Sequence, residues 1–515
     1  MRPDLFARVY CFRLFLAAAL CLLALPGGAQ TLDRGLGPAP ESLDIHLAQS
    51  LPAINVIRDL HEGLITFDAG ARLIPGIAMS WETSTDGLRW TFELDPRARW
   101  SDGRPITAND FVRGWQRALD PDTASPTAAM LDVIANAEAV RAGRQLPDAL
   151  GVKALAPDRL MLELARPTPW LAELLTHPVA FPMSPDEGLY SGPFRLARQV
   201  PGAHLTLVAN PAWRLAEELR LERVVWHVIE DPSVELARYR AGQLHITETI
   251  PPGRLAWLEQ RFGDQLRIAP YLGTFFLAFN LSQEPFAGNR DLRRALSLVI
   301  DRELIARRVI GAGELPAWRL VPPGMPGWPD IEPPAEDRKA DLAKARELYR
   351  RAGYGPRRPL RTELRFNTSL THRRMAAAVA AMWKQQLGVE TRLVNEEWAV
   401  FATNRRQGRI TQIVRGGWIA DWRDPANFLQ LFESSSPLDY SFFRDPEFDR
   451  LMQAAANQTD QQRIETLWQA EQRLLDEQVI IPIYYYVSRH LVKPEVEGFE
   501  DNAMDIHLSR WLSIR

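Results

Sequence analysis

Residues 360–394 read LRTELRFNTSLTHRRMAAAVAAMWKQQLGVETRLV, which is the best-defined unit of the chain. Leu360–Phe366 and Val389–Val394 have the composition of strands, and Thr371–Leu387 carries apolar side chains at helical spacing. Gly388 is placed to cap the end of that helix. A strand, a helix and a strand of these lengths predict a right-handed parallel crossover and therefore an α/β fold.

In open α/β sheets a ligand lies beyond the carboxyl ends of the strands. Two segments of this chain could occupy such a position. One is Asn367–His372, which follows the first strand, and the other is Gly416–Asp421, which follows a strand predicted to end near Val414. The second segment belongs to the stretch 415–428, which reads RGGWIADWRDPANF. A shared sheet edge would bring the two segments together.

The chemistry of this stretch allows two interpretations. Gly416 and Gly417 leave backbone amides and carbonyls open to close approach, because neither has a Cβ atom. Trp418 and Trp422 offer apolar surfaces on both sides of Asp421, an acid that is costly to bury without a partner. An acid between two indoles, beside bare backbone, suits a primary ammonium. The alternative is a strand end in which Asp421 caps a turn and both tryptophans belong to the core.

Composition and charge limit the class of protein. With 515 residues the chain is too long for one core, so two or three domains are expected. It is 46% hydrophobic and 24% charged, which is typical of globular proteins. The formal net charge is -3, without long basic or acidic blocks, so nothing supports binding to nucleic acid or to a membrane surface.

Residues 1–29 are predicted to be a cleavable signal peptide. The apolar run Leu14–Leu25 is too short to span a bilayer comfortably, and small residues precede a cleavage site after Ala29. The positive side chains at the start are Arg2, Arg8 and Arg13. We therefore expect an exported, soluble mature chain.

Both cysteines, Cys11 and Cys21, lie in that segment. The mature chain therefore has no disulfide and no thiol chemistry. Lipid attachment at Cys21 is disfavoured, because the bulky Leu20 precedes it and the apolar run continues past it.

Sequence motifs of enzymes and of metal or phosphate sites are absent. The nine histidines are scattered, and His61-Glu62 lacks the second histidine of a zinc-protease motif at the position of Ile65. There is no Gly-x-Ser-x-Gly, no Gly-x-Gly-x-x-Gly and no phosphate-binding loop. We therefore expect no catalytic residue, no metal and no cofactor. An exported hydrolase on an α/β scaffold is kept as the alternative from another class.

Further segments predict the elements around the crossover. Thr274–Asn280 is apolar on both faces, as in a strand that is covered on both sides. Leu244–Thr247 is predicted to be a strand, and Asn289–Val309 is predicted to be helical in one piece or two. Residues 62–186 are interpreted as an inserted domain.

Ordered matches along nearly the whole chain after residue 29 resemble the periplasmic oligopeptide-binding proteins of peptide ABC importers. The matching stretches are Asp59–Leu64, Trp100–Phe111, Asn367–Ser369, Glu397-Trp398, Gly417–Asp421 and Tyr484–Pro494. The resemblance implies a periplasmic-binding-protein-like α/β fold with two lobes, built from three domains and hinged around a central cleft. The implied ranges are 30–61, 187–272 and 488–515 for domain I, 62–186 for domain II and 273–487 for domain III.

The resemblance also implies a function. The chain would be a monomeric periplasmic receptor that captures oligopeptides between its lobes and delivers them to an inner-membrane ABC permease. Within the same fold, a murein peptide, a dipeptide, a metal chelate or haem stays open as an alternative ligand.

Roles for single residues follow from the same resemblance. Asp421 falls on the ammonium-binding aspartate of the family, which agrees with the first interpretation of its stretch. The cations expected near the peptide carboxylate are Arg415, Arg405 and His372. The expected pocket walls or peptide contacts are Trp398, Trp418 and Tyr486. The positions that flank the main-chain pairing are Gly417, Ile419, Gln49 and Leu51.

This sequence departs from the family pattern at three places. Relatives often carry a disulfide where this chain has Gly273 and Ile419, so the loss is paired. Gln49 stands where relatives often have an acid, which puts a minor polar contact in doubt. The link between Pro182 and Ser191 is shorter than usual.

Overall fold

The computed structural model describes residues 30–329, 337–436 and 438–515. The predicted signal peptide, residues 1–29, lies outside the described residues. Within the described ranges, no helix combines the length and the apolar composition that crossing a membrane requires.

Helices and strands are mixed along the chain, as predicted for an α/β fold. The strands are β1 Thr31–Gly37, β2 Ile65–Phe67, β3 Leu73–Pro75, β4 Ala78–Thr83, β5 Arg89–Leu94, β6 Val152–Ala156, β7 Arg159–Glu163, β8 Phe194–Val200, β9 His204–Ala209, β10 Arg223–Val228, β11 Leu266–Phe279, β12 Leu315–Pro316, β13 Arg361–Asn367, β14 Glu390–Glu396, β15 Ile413–Ile419, β16 Ile480–Leu491, β17 Val496–Glu497 and β18 Ser513–Ile514. The helices are α1 Leu51–Leu60, α2 Ala108–Leu119, α3 Ala137–Arg141, α4 Leu171–Leu174, α5 Pro232–Arg240, α6 Leu255–Phe262, α7 Arg290–Val299, α8 Arg302–Leu304, α9 Arg338–Arg351, α10 Leu370–Leu387, α11 Trp398–Arg406, α12 Ala426–Leu429, α13 Pro446–Ala456 and α14 Asp460–Asp476.

Three larger sheets carry the architecture, and we define two lobes by them. The first lobe holds two four-stranded sheets, ordered β1-β10-β9-β8 and β4-β5-β7-β6. The second lobe holds a six-stranded sheet, ordered β12-β16-β11-β15-β13-β14, with a hydrophobic core on each face. β11 and β16 run past the predicted limits of domain III at residues 273 and 487, and the domain limits stay a prediction.

The predicted crossover is confirmed, because β13 and β14 pair in parallel and α10 connects them. Ser369 caps the start of α10 by accepting a hydrogen bond from the His372 N–H. Gly388 ends the helix in the left-handed conformation, with a φ of 75°. Buried Val379 and Trp383 hold the helix against the sheet.

β11 is the central strand of the six-stranded sheet and is covered on both faces, as predicted. Phe275 and Leu277 point into one core, whereas Phe276 and Ala278 point into the other. The strand is paired with β16 on one edge and with β15 on the other. Between Phe275 and Ala278, both edges and both faces of β11 are covered. The position of β11 therefore fixes the positions of β15 and β16.

β11 and β16 also connect the two lobes. At its start β11 pairs Leu266 with Leu491 of β16, and both residues pack with Tyr239 of the first lobe. The regular pairing of the two strands is interrupted between Pro270 and Thr274. This interruption lies where the chain passes from one lobe to the other.

β15 is longer than predicted. The expected end near Val414, with a loop from Gly416 onward, is wrong, because β15 pairs with β11 as far as Ile419. Gly416 allows this pairing, since a Cβ atom at that position would lie 2.2 Å from the ring of Phe276.

Two further predictions are settled by the structure. Leu244–Thr247 is not a strand but makes isolated bridges at Ile246, because its backbone bonds are divided between two neighbours: the His245 N–H donates to the Asp33 carbonyl and the Thr247 N–H to the Leu491 carbonyl. The segment Asn289–Val309 forms two pieces, α7 and then α8 with a following π-helical turn.

We expect Gly416→Ala to destabilise the protein by about 1–3 kcal/mol, because the added methyl group overpacks the contact with Phe276. Urea unfolding of the variant and of the unchanged protein measures the difference. Gly355→Ala is the matched control, since no atom lies within 4 Å of its added Cβ. Equal midpoints for both variants would contradict the packing argument.

Candidate functional site

The second half of β15 presents a free backbone edge. The Ala420 N–H donates to the Leu272 carbonyl at 2.8 Å, and the Gln412 carbonyl accepts from the Asn280 N–H at 2.7 Å. Because backbone groups alternate along a strand, the even-numbered residues of β15 face β11 and the odd-numbered residues face away.

β13, on the other side, pairs with β15 only at Ile413 and Val414. The N–H and C=O groups of Gly417 and Ile419 therefore point to an edge that no other strand of the described residues covers. A row of unpaired backbone donors and acceptors is a template for an added strand. The two residues lie where such pairing was predicted.

Asp421 lies just beyond this edge. The Asp421 side chain can be reached by solvent from the cleft. The protein atoms around it still desolvate the carboxylate, and this desolvation raises its pKa to about 6. Asn427 and the charge of Arg58 act in the opposite direction. Asn427 Oδ1 also accepts from Trp418 Nε1 at 2.7 Å and from the Asp421 N–H at 3.1 Å, so it orients both residues. Trp422 is buried, which agrees with the alternative interpretation, in which this tryptophan belongs to the core.

Arg58 is a site residue that sequence reasoning missed. It lies on α1 of the first lobe. Burial lowers the pKa of Arg58 to about 10, whereas the charges of Tyr271, Asp421 and Glu173 act to raise it. Its Nε has no hydrogen-bond partner among the described residues. The available signal was its position directly before the stretch Asp59–Leu64.

A second group of predicted residues gathers around Phe275. The Arg415 guanidinium lies 5.3 Å from the centre of the Phe275 ring, and the His372 ring lies 5.5 Å from it. A Cβ on Gly417 would come within 2.7 Å of the Tyr486 hydroxyl and 3.5 Å of Arg415 Nη2. The structure therefore brings Arg415, His372 and Tyr486 together beside the free edge.

His372 is not a second cation in this group. Burial and the neighbouring Arg415 lower its pKa to about 4, so the imidazole is neutral near pH 7. Its Nδ1 is buried without a partner among the described residues. Arg415 carries the positive charge of the group, and His372 offers a neutral hydrogen-bonding nitrogen.

A cavity of about 880 Å³ opens next to this group, between the lobes. The first lobe contributes residues 230–233 and 249–254, and the second contributes 369–372 with Tyr484 and Tyr486. Its size is within the range of ligand pockets.

Arg405 and Trp398 form a separate cluster on α11. The Arg405 guanidinium lies 4.6 Å from the centre of the Tyr440 ring and 5.8 Å from that of Trp398, which is 52% exposed. Tyr440 is also close enough to Tyr486 to act on its pKa. The two clusters are therefore neighbours, but Arg405 does not share the surroundings of Arg415.

Gln49 and Leu51 precede and begin α1 in the first lobe. The Gln49 N–H donates to the Glu41 carboxylate at 2.7 Å, so its backbone donor is already engaged. Leu51 is exposed. Of the Gln49 backbone, the carbonyl is the group still available for the pairing predicted there.

The two positions of the missing disulfide face each other, because Gly273 and Ile419 are cross-strand partners. A Cβ at Gly273 would lie 2.5 Å from the Tyr486 ring and 3.1 Å from Ile419 Cγ1. Glycine thus makes room for the Tyr486 side chain at this point.

Two contacts hold the lobes together near Asp421. Glu173 of the first lobe accepts from Arg423 of the second at 2.8 Å (Nε) and 2.6 Å (Nη2). The Arg463 guanidinium of the second lobe lies 4.9 Å from the centre of the Trp170 ring of the first. Both contacts need closed lobes, and neither was predicted.

Comparisons with known proteins agree with this geometry. The family model described as "Bacterial extracellular solute-binding proteins, family 5 Middle" matches residues 72–439. The chain is 37% identical over 503 residues to the periplasmic murein peptide-binding protein MppA of Escherichia coli, covering 94% of this chain and 93% of the relative. It is 35% identical over 524 residues to the periplasmic oligopeptide-binding protein OppA of Salmonella typhimurium, covering 97% and 96%.

A solved structure shows the same architecture. The Haemophilus influenzae OppA complex with RPPGFSPFR matches with a TM-score of 0.82 and 32% identity, covering 95% of this chain and 99% of that one.

We expect Glu173→Gln to shift the unliganded protein toward open lobes, because the charge partner of Arg423 is lost from a contact that is only 11–20% exposed. An interfacial charge pair of this kind is worth about 1.5 kcal/mol or more. Double electron–electron resonance between spin labels at Gln145→Cys and Gln385→Cys, one in each lobe, measures the distance between the lobes. The mature chain has no cysteine to interfere.

The matched control is Glu93→Gln, which removes an exposed ion pair with Arg159 inside the first lobe. It is expected to leave the distance distribution unchanged. An unchanged distribution for Glu173→Gln as well would contradict the role given to the contact.

Proposed function

The chain belongs to the bacterial extracellular solute-binding proteins of family 5, and on this premise we propose that it is a receptor for peptides with a free amino terminus. It captures an oligopeptide between its lobes in the periplasm and delivers it to an inner-membrane ABC permease. The observation that carries the proposal is the free backbone edge at Gly417 and Ile419, with an acid at one end and a cation at the other.

The charges at the two ends set the direction of the peptide. The α-ammonium pairs with Asp421 and the carboxylate lies toward Arg415, so the peptide runs antiparallel to β15. Six residues at about 3.3 Å each separate the Cα atoms of Arg415 and Asp421 by roughly 20 Å. The Arg415 guanidinium lies beside Gly417, four residues from Asp421, so the two charges are closer, at roughly 13 Å along the strand. An extended peptide of about four residues spans this distance.

Backbone pairing explains how such a receptor accepts different sequences. Main-chain hydrogen bonds to Gly417 and Ile419 are the same for every peptide, whereas side chains enter the cavity between the lobes. In this proposal His372, Tyr486 and Trp418 line the path of the peptide between the lobes. Trp398 and Arg405 lie at the border of that path. Gln49 and Leu51 approach from the first lobe. These roles rest on the positions described above and on the family.

Closure of the lobes completes the site. Arg58 and Glu173 belong to the first lobe, whereas Asp421 and Arg423 belong to the second. Bringing the lobes together encloses both charged ends of the peptide, and an end without its partner then costs free energy. The proposed role is binding and delivery without chemical conversion, so a bound peptide is expected to be recovered intact after long incubation.

Asp421→Asn is expected to weaken binding of a tetrapeptide with a free amino terminus by about 2–5 kcal/mol, because the α-ammonium loses its buried partner. Isothermal titration calorimetry measures the change. The N-acetyl form of the same peptide should bind the variant and the unchanged protein equally weakly. Glu447→Gln, which removes an exposed ion pair with Arg450, is the control and should bind normally.

Equal affinity for the free and the acetylated peptide would contradict the ammonium assignment. Native mass spectrometry of the purified protein then separates a peptide from the alternative ligands by the mass of what co-purifies. A murein peptide is the alternative favoured by the relative at 37% identity.

The affinity for a free-amine peptide should fall as the pH is lowered through about 6, where Asp421 becomes protonated. Its pKa is raised in the unliganded protein, and only the carboxylate form pairs with the ammonium. Binding is therefore full above this pH and is lost below it, by up to about tenfold per pH unit. Calorimetry between pH 5 and pH 7 tests this, and Asp421→Asn should flatten the profile.

A further inference from the structure

A cluster of metal-ligating side chains lies in the first lobe, outside the residues proposed to hold the peptide. It consists of His490 at the end of β16 and of Asp505 and His507 in the C-terminal segment. His490 Nε2 lies 2.7 Å from Asp505 Oδ1, and His507 Nε2 lies 3.1 Å from the same oxygen. All three ligand atoms are within 4.8 Å of one another.

The two imidazoles are held in place by their surroundings. His490 Nδ1 lies 2.8 Å from the Thr247 carbonyl, which can only accept, so Nδ1 carries the hydrogen and Nε2 faces Asp505. Histidines that bind metals usually donate their other nitrogen to a carbonyl or carboxylate in this way. The His507 ring stacks on Phe499 with centroids 3.9 Å apart. Neither ring needs to turn for its Nε2 to reach a shared ion.

A second acid faces this cluster. No described residue donates a hydrogen bond to the Glu248 carboxylate, which lies close enough to His490 to interact with its charge. The same carboxyl group interacts with Asp505. Glu248 is thus a nearby acid without a hydrogen-bond donor, but it is not one of the three converging ligand groups.

Arg34 is a positive charge near this cluster and opposes the binding of a cation. Its Nη1 donates to the His507 carbonyl at 2.8 Å and to Ser509 Oγ at 3.1 Å, and its guanidinium lies 3.9 Å from the centre of the Trp226 ring. With neutral imidazoles, the charges of the Asp505 and Glu248 carboxylates and of the Arg34 guanidinium sum to one negative unit. This charge offsets half of the charge of a divalent cation.

A second group of two histidines and an aspartate differs from this cluster in how its nitrogens are used. Asp33 lies between His227 and His245, but there His245 Nδ1 accepts from the Asp33 N–H at 2.9 Å. His227 Nδ1 lies 3.0 Å from Arg238 Nη2. His245 Nδ1 and both nitrogens of His227 are engaged by the protein, and among the described residues this trio offers no three converging ligand atoms, so it serves as an internal control.

We propose that His490, Asp505 and His507 bind a divalent transition-metal ion of the Zn²⁺ type, with water as the fourth ligand. Two imidazoles and a carboxylate suit Zn²⁺, which takes four ligands at about 2.0–2.2 Å. The ion takes the place of the hydrogen bond between His490 Nε2 and Asp505 Oδ1. It ties β16, which connects the lobes, to the C-terminal segment of the first lobe, and therefore stabilises the fold.

Calorimetric titration of the mature protein with Zn²⁺, after removal of bound metal by a chelator, tests the site. We expect one ion per chain and a higher melting temperature with the metal. His507→Gln and Asp505→Asn should each weaken binding by at least about tenfold, since loss of even an outer-shell partner costs that much. His245→Gln, in the other trio, should bind as the unchanged protein does.

Co²⁺ provides a readout that a loss of folding cannot imitate. The unchanged protein and His245→Gln should both develop the visible absorption bands of tetrahedral Co²⁺, and His507→Gln should not. Circular dichroism checks that the variants are folded. No saturable Zn²⁺ binding by the unchanged protein, or equal binding by all variants, would overturn the proposal. Neither result depends on whether the protein binds peptides.

Discussion

The double pairing of β11 is the constraint on which the rest of the structure depends. Both edges of the strand are taken, and its side chains alternate between two cores, so it cannot shift by one residue without exposing a row of phenylalanines. β15 is thereby held in a single register against it. That register decides which backbone groups of β15 face outward and where Asp421 emerges. The position of the candidate site is therefore a consequence of core packing.

The candidate site combines fixed backbone with side chains that lack partners. Arg415 Nε and His372 Nδ1 are buried and find no hydrogen-bond partner among the described residues. Leaving such atoms unpaired is unfavourable, and the packing of the sheet offsets this free energy. In the second lobe these groups are therefore already in place for the proposed peptide. The first lobe contributes Arg58 and Glu173 to the same region.

Local patterns predicted much of the fold, because they depend on neighbouring residues. The crossover from β13 through α10 to β14 could be predicted from apolar spacing and from Gly388. The full length of β15 could not, because its second half is held by β11, more than a hundred residues earlier. Arg58 and the contact between Glu173 and Arg423 were missed for the same reason: their partners are distant in sequence. Family resemblance supplied the candidate roles of Asp421 and Arg415, and their geometry came from the sheet.

The pair of Gly273 and Ile419 has a consequence for the synthesis of the protein. Where relatives often join these strands covalently, here they are held by backbone pairing and by the Tyr486 ring that fills the space at Gly273. Residues 30–515 contain no cysteine. No disulfide therefore has to form during folding, and thiols in the surroundings do not weaken the folded state. The two strands are held together equally well in reducing and in oxidising conditions.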